Sequence, residues 1–255
     1  NRRSLIRRTL AARGMNECVT WSFMPKELSG LFGGGADALT LANPISSDLD
    51  QMRPSILGNL IQALGRNADR GFADLGLFEI GPQYAGVKPE DQAMMASCVR
   101  AGQMVERNWA VPARVVDAFD AKADALAALV IAQVPTDNLQ VEAEAPAWYH
   151  PGRSGSLKLG PKVLAWFGEI HPRVLKALDV KGPVVGFELF LDNLPPVKQR
   201  PSKTKPALKA SPFQAVVRDF AFLADKAVTA QALVRAAKSA DKTLISGAQV
   251  FDLYE

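Results

Sequence analysis

The chain has 255 residues, 48% of them hydrophobic, enough for one large domain or two of ordinary size. No apolar run approaches the ~20 residues of a membrane span and no signal peptide opens the sequence, so no membrane partner is expected and a cytoplasmic setting is. The net charge of +4 is local: residues 195–210 carry Lys198, Arg200, Lys203, Lys205 and Lys209 and no acid, which leaves the rest close to neutral.

In chain order, Leu5, Ile6, Thr9 and Leu10 share one side of a short helix over residues 4–14. Val19, Trp21 and Phe23 alternate with Cys18, Thr20 and Ser22, which predicts a strand. Residues 25–32 read as a helical turn ended by Gly33-Gly34-Gly35, and residues 39–41 as another short strand. Over residues 55–70, Ile56, Leu57, Leu60, Ile61, Leu64 and Ala68 fall on one helical face, with Asn59, Gln62, Arg66, Asn67 and Arg70 on the others. Leu75, Leu77, Phe78 and Ile80 then make a buried strand, and residues 92–102 a further one. Asp120 is placed to cap a helix carrying Leu126, Leu129, Val130 and Val134. Leu139, Val141 and Ala143 alternate with polar residues. Gly160-Pro161-Lys162 between two apolar runs signals a hairpin. Pro172 fits the first turn of a helix reaching Leu178, and residues 184–191 form a strong strand. The sum is an α+β arrangement around a mostly antiparallel mixed sheet.

After the basic segment, which reads as a solvated linker or as a track for RNA phosphates, the pattern restarts. Residues 215–223 and 249–254 read as strands around a helix capped by Thr229, with Leu233, Val234 and Ala237 inward.

The chemistry on offer is sparse. His150 and His171 have no metal-ligand companions at a useful spacing, so no metal site is expected. Arg153, after His150-Pro151-Gly152, is a possible anion clamp or a turn-capping residue. Cys18 and Cys98 read as lone thiols in a reducing compartment. No Walker loop, GxSxG or GxGxxG run is present.

Several strings carry a resemblance. ECVTWSF (17–23), the NPIS…MRPS…LFEIG run (43–81), VDAFDAKADALAAL (116–129), HPGRSGSLKLG (150–160), GEIHPRVLKALDVKG (168–182) and FELFLDNL (187–194) occur in this order. Together they resemble the C-terminal part of the bacterial phenylalanyl-tRNA synthetase beta subunit family. SPFQAVVRDFAFLAD (211–225) and VFDLYE (250–255) resemble the start of that family's ferredoxin-fold anticodon-binding module, with Gln214 and Val217 departing from its usual Pro and Arg.

The resemblance implies a class II synthetase-like core over residues 1–194, a linker over 195–210 and an incomplete ferredoxin-like module over 211–255, continuing past Glu255. The class II motif arginines that bind ATP phosphates have no counterpart here, so no catalytic residue is assigned. ATP and Mg belong to the assembled enzyme, which joins phenylalanine to tRNA(Phe). The implied partners are the alpha subunit, for which Asn59, Gln62 and Arg66 are the interface candidates, and the tRNA. For the tRNA the candidates are Asp252, Tyr254, Arg218, Lys203 and Lys205: period two puts Asp252 and Tyr254 on one strand face, where a ring can stack on a base. A free-standing RNA-binding protein and an independent class II ligase are the rival readings.

Overall fold

A computed structural model describes residues 1–197, 204, 205, 207, 208 and 210–254. The chain divides into a unit of residues 1–197 and a unit of residues 198–255. Lys198, Arg200, Lys203 and Lys209 of the basic segment lie outside the described residues.

The first unit opens with α1 (Arg2–Ala12), whose Asn1 cap accepts the Arg3 N–H at 3.1 Å. Ile6 and Leu10, one turn apart, are its buried anchors. Next come β1 (Asn16–Glu17), β2 (Phe23–Met24), α2 (Lys26–Ser29) and β3 (Gln51–Met52). The continuous strand expected over residues 18–23 does not form. The Cys18 N–H donates to Phe78 O at 2.7 Å, but the Thr20 N–H and hydroxyl then donate to the Glu79 carboxylate at 3.2 and 2.6 Å. Those side-chain bonds replace ladder bonds, and Val19 and Trp21 are left 94% and 61% exposed. Residues 39–41 are likewise not a strand: a 3-10 turn covers Asp37–Leu39 and a single bridge joins Thr40 to Gln51.

α3 (Leu57–Ala68) follows; of its expected stripe Ile56, Leu57, Leu60, Ile61 and Leu64 are fully or almost fully buried, while Ala68, in the last turn, is exposed. Each such buried side chain contributes about 1.5–3 kcal/mol relative to exposure. β4 (Leu75–Tyr84), β5 (Gln92–Ala101), β6 (Gln103–Val105) and β7 (Arg114–Val115) lead to α4 (Ala118–Ile131). The cap of α4 is Asp117 and not Asp120. The Asp117 carboxylate accepts the Phe119 and Asp120 N–H groups, while the Asp120 carboxylate reaches back to the Asp117 N–H at 2.9 Å. This reciprocal box needs a side-chain acceptor at both ends of the first turn, and here two carboxylates supply them.

The remaining strands are β8 (Gln140–Glu142), β9 (Tyr149–Leu159) and β10 (Lys162–Ile170), then α5 (Pro172–Ala177) and β11 (Val184–Phe190). β9 and β10 turn through Gly160-Pro161, where Gly160 takes φ +60°, the region a tight hairpin needs and side chains resist. Seven strands pair in the order β1-β4-β5-β11-β10-β9-β8, with β1–β4 parallel and every other pair antiparallel.

Strand alternation gives the sheet two faces. On one, Phe78, Ala96, Cys98, Leu157, Phe167, Val185, Phe187 and Leu189 pack against α1 and α4. On the other, Leu77, Met95, Val99 and Val184 pack against α3 and α5. Helices thus cover both faces of a large mixed sheet, an α+β fold. Cys98 is buried and Cys18 half-buried, both free thiols, and burial raises the pKa of each.

In the second unit, α6 (Ala230–Ala240) forms as expected, its N-cap Thr229 hydroxyl accepting the Ala232 N–H at 3.2 Å. The strands expected over residues 215–223 and 249–254 are not formed among the described residues. Phe220, Phe222, Val250 and Leu253 stand exposed. Leu233 and Val234 are half-buried, and Ala237 is exposed rather than inward. With no strand ladder there is no sheet for the helix to lie on.

Candidate functional site

The face beneath α3 and α5 carries an unusual feature for a sheet interior, a row across six strands that is polar at all of them but β10, where Trp166 stands. The register pairs Glu142 with Ser156, Ser156 with Trp166, Trp166 with Glu188, Glu188 with Ser97, and Ser97 with Glu79. Ser97, Ser156, Glu188 and Glu79 are all at most 4% exposed. Buried charge of this kind persists only when it is paired or hydrogen-bonded.

Glu188 is satisfied by three donors. Its carboxylate accepts from the Ser55 hydroxyl at 2.5 Å, the Trp148 indole N–H at 2.9 Å and the Tyr149 hydroxyl at 3.2 Å. Burial raises the Glu188 pKa, with the three hydrogen bonds opposing, and burial next to Glu188 raises the Tyr149 pKa well above its ordinary value. Ser55 stands at the entrance to α3, and its oxygen also accepts the Leu57 N–H at 3.1 Å. One carboxylate therefore ties together the first turn of α3, the segment before β9 and the centre of the sheet.

Glu79 is held by Arg53 at 2.9 Å, and Arg53 also donates to Pro82 O and the Thr20 hydroxyl, each at 2.9 Å. Arg53 is 1% exposed. On the opposite face a second buried ion cluster joins Asp124 to Arg100 at 2.6 Å and to Arg13 at 2.5 Å. Around Glu188 an aromatic group closes the surface: Trp166 meets Phe190 edge-on at 4.8 Å and Trp148 at 6.0 Å, and Phe32 meets Trp148 at 6.2 Å. The two buried carboxylates on this face, Glu79 and Glu188, are engaged by neighbouring donors, while the Ser97 and Ser156 hydroxyls have no hydrogen-bond partner.

The residues singled out from sequence fall as follows. Asn59 is buried, and its amide donates to Trp21 O and Phe23 O at 3.3 Å, so it anchors the 21–23 segment instead of presenting itself to a partner. Gln62 is half-buried and Arg66 exposed. Arg153 is not a free anion clamp: its guanidinium holds the Glu169 carboxylate at 2.5 and 2.9 Å. His150 and His171 stack with centroids 6.3 Å apart, each Nδ1 accepting a backbone N–H at 3.1 Å. Among the described residues no group of three or more potential metal ligands gathers, and no helix is long and apolar enough to cross a membrane.

In the second unit, Lys205 and Arg218 are exposed, and Arg218 donates to Val217 O at 3.0 Å. The Asp252 carboxylate accepts the Leu253 N–H at 2.8 Å, and Tyr254 is 91% exposed. No hydrogen bond or ion pair among the described residues joins these groups to each other. Lys203 lies outside the described residues. Sequence reasoning missed Arg53, Glu188, Trp148 and Tyr149. The available signal was an acid between Phe187 and Leu189 in an otherwise apolar strand.

The first unit has the fold of an aminoacyl-tRNA synthetase core. Two solved structures of the pyrrolysyl-tRNA synthetase of Desulfitobacterium hafniense superpose on 75% of this chain, with TM-scores of 0.54 and 0.55. They are covered over 64% and 66% of their own chains at 15% and 18% identity, a likeness of fold alone. The sequence models of two domains also match, the phenylalanyl tRNA synthetase beta chain CLM domain over residues 1–191 and the ferredoxin-fold anticodon binding domain over residues 211–255. The phenylalanine–tRNA ligase beta subunits of Paramagnetospirillum magneticum and Rhodospirillum rubrum are 62% and 60% identical over 250 residues, 98% of this chain. That of Mesorhizobium japonicum is 54% identical over 254 residues. The chain belongs to the phenylalanyl-tRNA synthetase beta subunit family. It spans 31% of the length of the first two relatives.

Proposed function

We propose that the chain acts within a phenylalanine–tRNA ligase, as a non-catalytic synthetase-like core that docks on an alpha subunit and a following segment that contacts tRNA(Phe). The observation that carries this reading is the polar row. On a fold shared with synthetases, the carboxylates Glu79 and Glu188 are consumed by Arg53, Thr20, Ser55, Trp148 and Tyr149. A face filled in this way supports scaffolding over adenylation, and ATP and Mg then serve the alpha subunit's site. The division follows the sequence: a core over residues 1–194, a basic linker over 195–210 and an anticodon-binding module from 211.

For the docking surface, the exposed Val19 and Trp21 flank a face that includes Gln62 and Arg66, with Asn59 beneath holding the 21–23 segment in place. An exposed tryptophan is the kind of residue that dominates interface energetics. For RNA, the exposed Tyr254 supports base stacking and Asp252 base-edge recognition, with Arg218, Lys203 and Lys205 for phosphates.

Mixing the chain with a phenylalanyl-tRNA synthetase alpha subunit tests the reading. We expect a stable complex on a sizing column, weakened by Trp21→Ala and by Arg66→Glu, and no phenylalanine-dependent pyrophosphate exchange from the chain by itself. Exchange activity that co-elutes with the isolated chain, or no complex, overturns it.

A further inference from the structure

At the open end of the β9–β10 hairpin two short turns repeat one device. In the sheet register Tyr149 stands opposite Ile170, and both belong to the core beneath α3 and α5. His150 and His171, each one residue further on, therefore share the other side at diagonal positions, and their rings stack 26° from parallel. Each is followed by a proline, Pro151 or Pro172, which has no N–H to offer. The first amide after each histidine is thus two residues on, at Gly152 and at Arg173, and in both turns it donates to the ring Nδ1 at 3.1 Å.

An Nδ1 that accepts leaves the proton of a neutral ring on Nε2. Each ring therefore offers a fixed N–H donor at Nε2 and no lone pair there. That excludes metal ligation and proton abstraction by Nε2 and leaves hydrogen-bond donation. Among the described residues neither Nε2 has a hydrogen-bond partner, and neither is a buried atom. Arg173 adds a charge: it is exposed, and its guanidinium makes no ion pair among the described residues. The one acid of these two turns, Glu169, is already held by Arg153 through two hydrogen bonds.

We propose that His150, His171 and Arg173 form a binding site for a phosphate group. The guanidinium takes two of its oxygens in a fork, and the two ring N–H groups bond the oxygens that remain. A carboxylate has only the two oxygens that the fork already occupies, so the set of donors favours a tetrahedral oxyanion. The phosphate is that of a small ester or of an RNA strand, and the chemistry recognised is the same. All three residues belong to the first unit, and the proposal rests neither on the docking role nor on the tRNA contacts assigned to the second unit.

The chain has two histidines, so side-chain nitrogen spectra of the 255-residue protein labelled in histidine show two rings only. At about pH 8 both should be the Nε2–H tautomer. Inorganic phosphate, adenosine 5′-monophosphate and hexauridylate are then titrated, with acetate and chloride as controls at matched ionic strength. We expect both Nε2 signals to move saturably with the phosphate probes, with Kd on the order of 10 mM for inorganic phosphate, and to move little with the controls. Hexauridylate binding at least about tenfold tighter than adenosine 5′-monophosphate assigns the RNA backbone as the source, and similar affinities assign a small ester. Arg173→Gln weakens phosphate about tenfold. His171→Asn keeps an acceptor for the Arg173 amide, so the unfolding midpoint stays that of the parent. Phosphate binding, read on the His150 ring, nevertheless falls about fivefold. Nδ1–H tautomers, no saturable movement, movement of one ring only, acetate binding that matches phosphate, or a His171→Asn variant that binds phosphate as the parent does would each overturn the proposal.

Discussion

Phe187 and Phe220 sit in similar sequence settings, each in a short apolar run next to a carboxylate. Phe187 is fully buried and Phe220 is 72% exposed. The difference lies in what surrounds them. β11 is flanked on both edges, by β5 and β10, and covered by α4. Residues 215–223 have no ladder partner among the described residues. A strand pattern states which side chains share a face, but burial needs a neighbour to satisfy the backbone and a second layer to cover the side chains. The first unit supplies both and the second supplies neither. The Phe220 and Phe222 rings, 6.2 Å apart and 22° from parallel, still show the two-residue repeat without a sheet to use it.

The largest expected contrast is in hydrogen exchange. Amides of Val99 and Phe187 open only with global unfolding, whereas those of Phe220 and Leu253 exchange near the unstructured rate. The rates in the 255-residue chain should differ by at least about a thousandfold. Comparable protection in both units would mean that the second unit builds a sheet of its own, and the contrast drawn above would fail.

A second test cuts the first unit at its polar centre. Arg53→Met leaves Glu79 buried without its cation, which should cost about 3–5 kcal/mol in urea unfolding followed by near-UV signals. Exchange in residues 211–254 should not change, since the groups Arg53 bonds to, Glu79, Thr20, Trp21 and Pro82, all belong to the first unit. A loss below about 1 kcal/mol would place Arg53 among exposed ion pairs instead.

How much of this was readable from the chain depends on the range of the interaction. The α3 stripe, the Gly160-Pro161 hairpin and the run of β11 are local patterns, and each formed at its expected place within a few residues. The α4 cap was displaced by one turn because Asp117 and Asp120 both look like caps; only their reciprocal bonds assign the roles. Residues 18–23 alternate like a strand but were taken off the sheet by Glu79, which lies 59 positions from Thr20. The polar row is less legible still. It joins single letters from six strands, and register between distant strands leaves no periodicity in any one of them. The same reason hid the inward role of Asn59, whose partners are carbonyls of the 21–23 segment.

The α4 cap offers a smaller effect. Asp117→Ala removes the acceptor for two first-turn amides and should cost about 1 kcal/mol. The loss should be larger than for Asp137→Ala, whose carboxylate caps no helix. Thermal unfolding of the two variants side by side checks this, and equal midpoints would argue against the box.

The smallest expected effect comes from Glu188, and its sign is the informative part. Burial raises the folded-state pKa of this carboxyl above its ordinary value of 4.5, with the bonds from Ser55, Trp148 and Tyr149 holding the rise back. The folded state therefore takes up the Glu188 proton at a higher pH than the unfolded chain does. By linkage, the wild-type chain gains stability as pH falls through the folded pKa, and the gain is complete below the ordinary glutamate range. Glu188→Gln keeps the shape and an acceptor oxygen for Trp148 and Tyr149, while the Ser55 hydroxyl can turn to accept from the new amide. The variant has no proton to take up. The stability of wild type relative to Glu188→Gln should thus increase on acidification over a window just above 4.5 and be flat at higher pH, where the wild-type carboxylate is charged in both states. Urea midpoints of both proteins across that window measure it. A difference that moves the opposite way would mean that the three donors outweigh burial and that Glu188 is held as the anion throughout. The polar row would then resemble the exposed ion pairs of the surface more than a buried core.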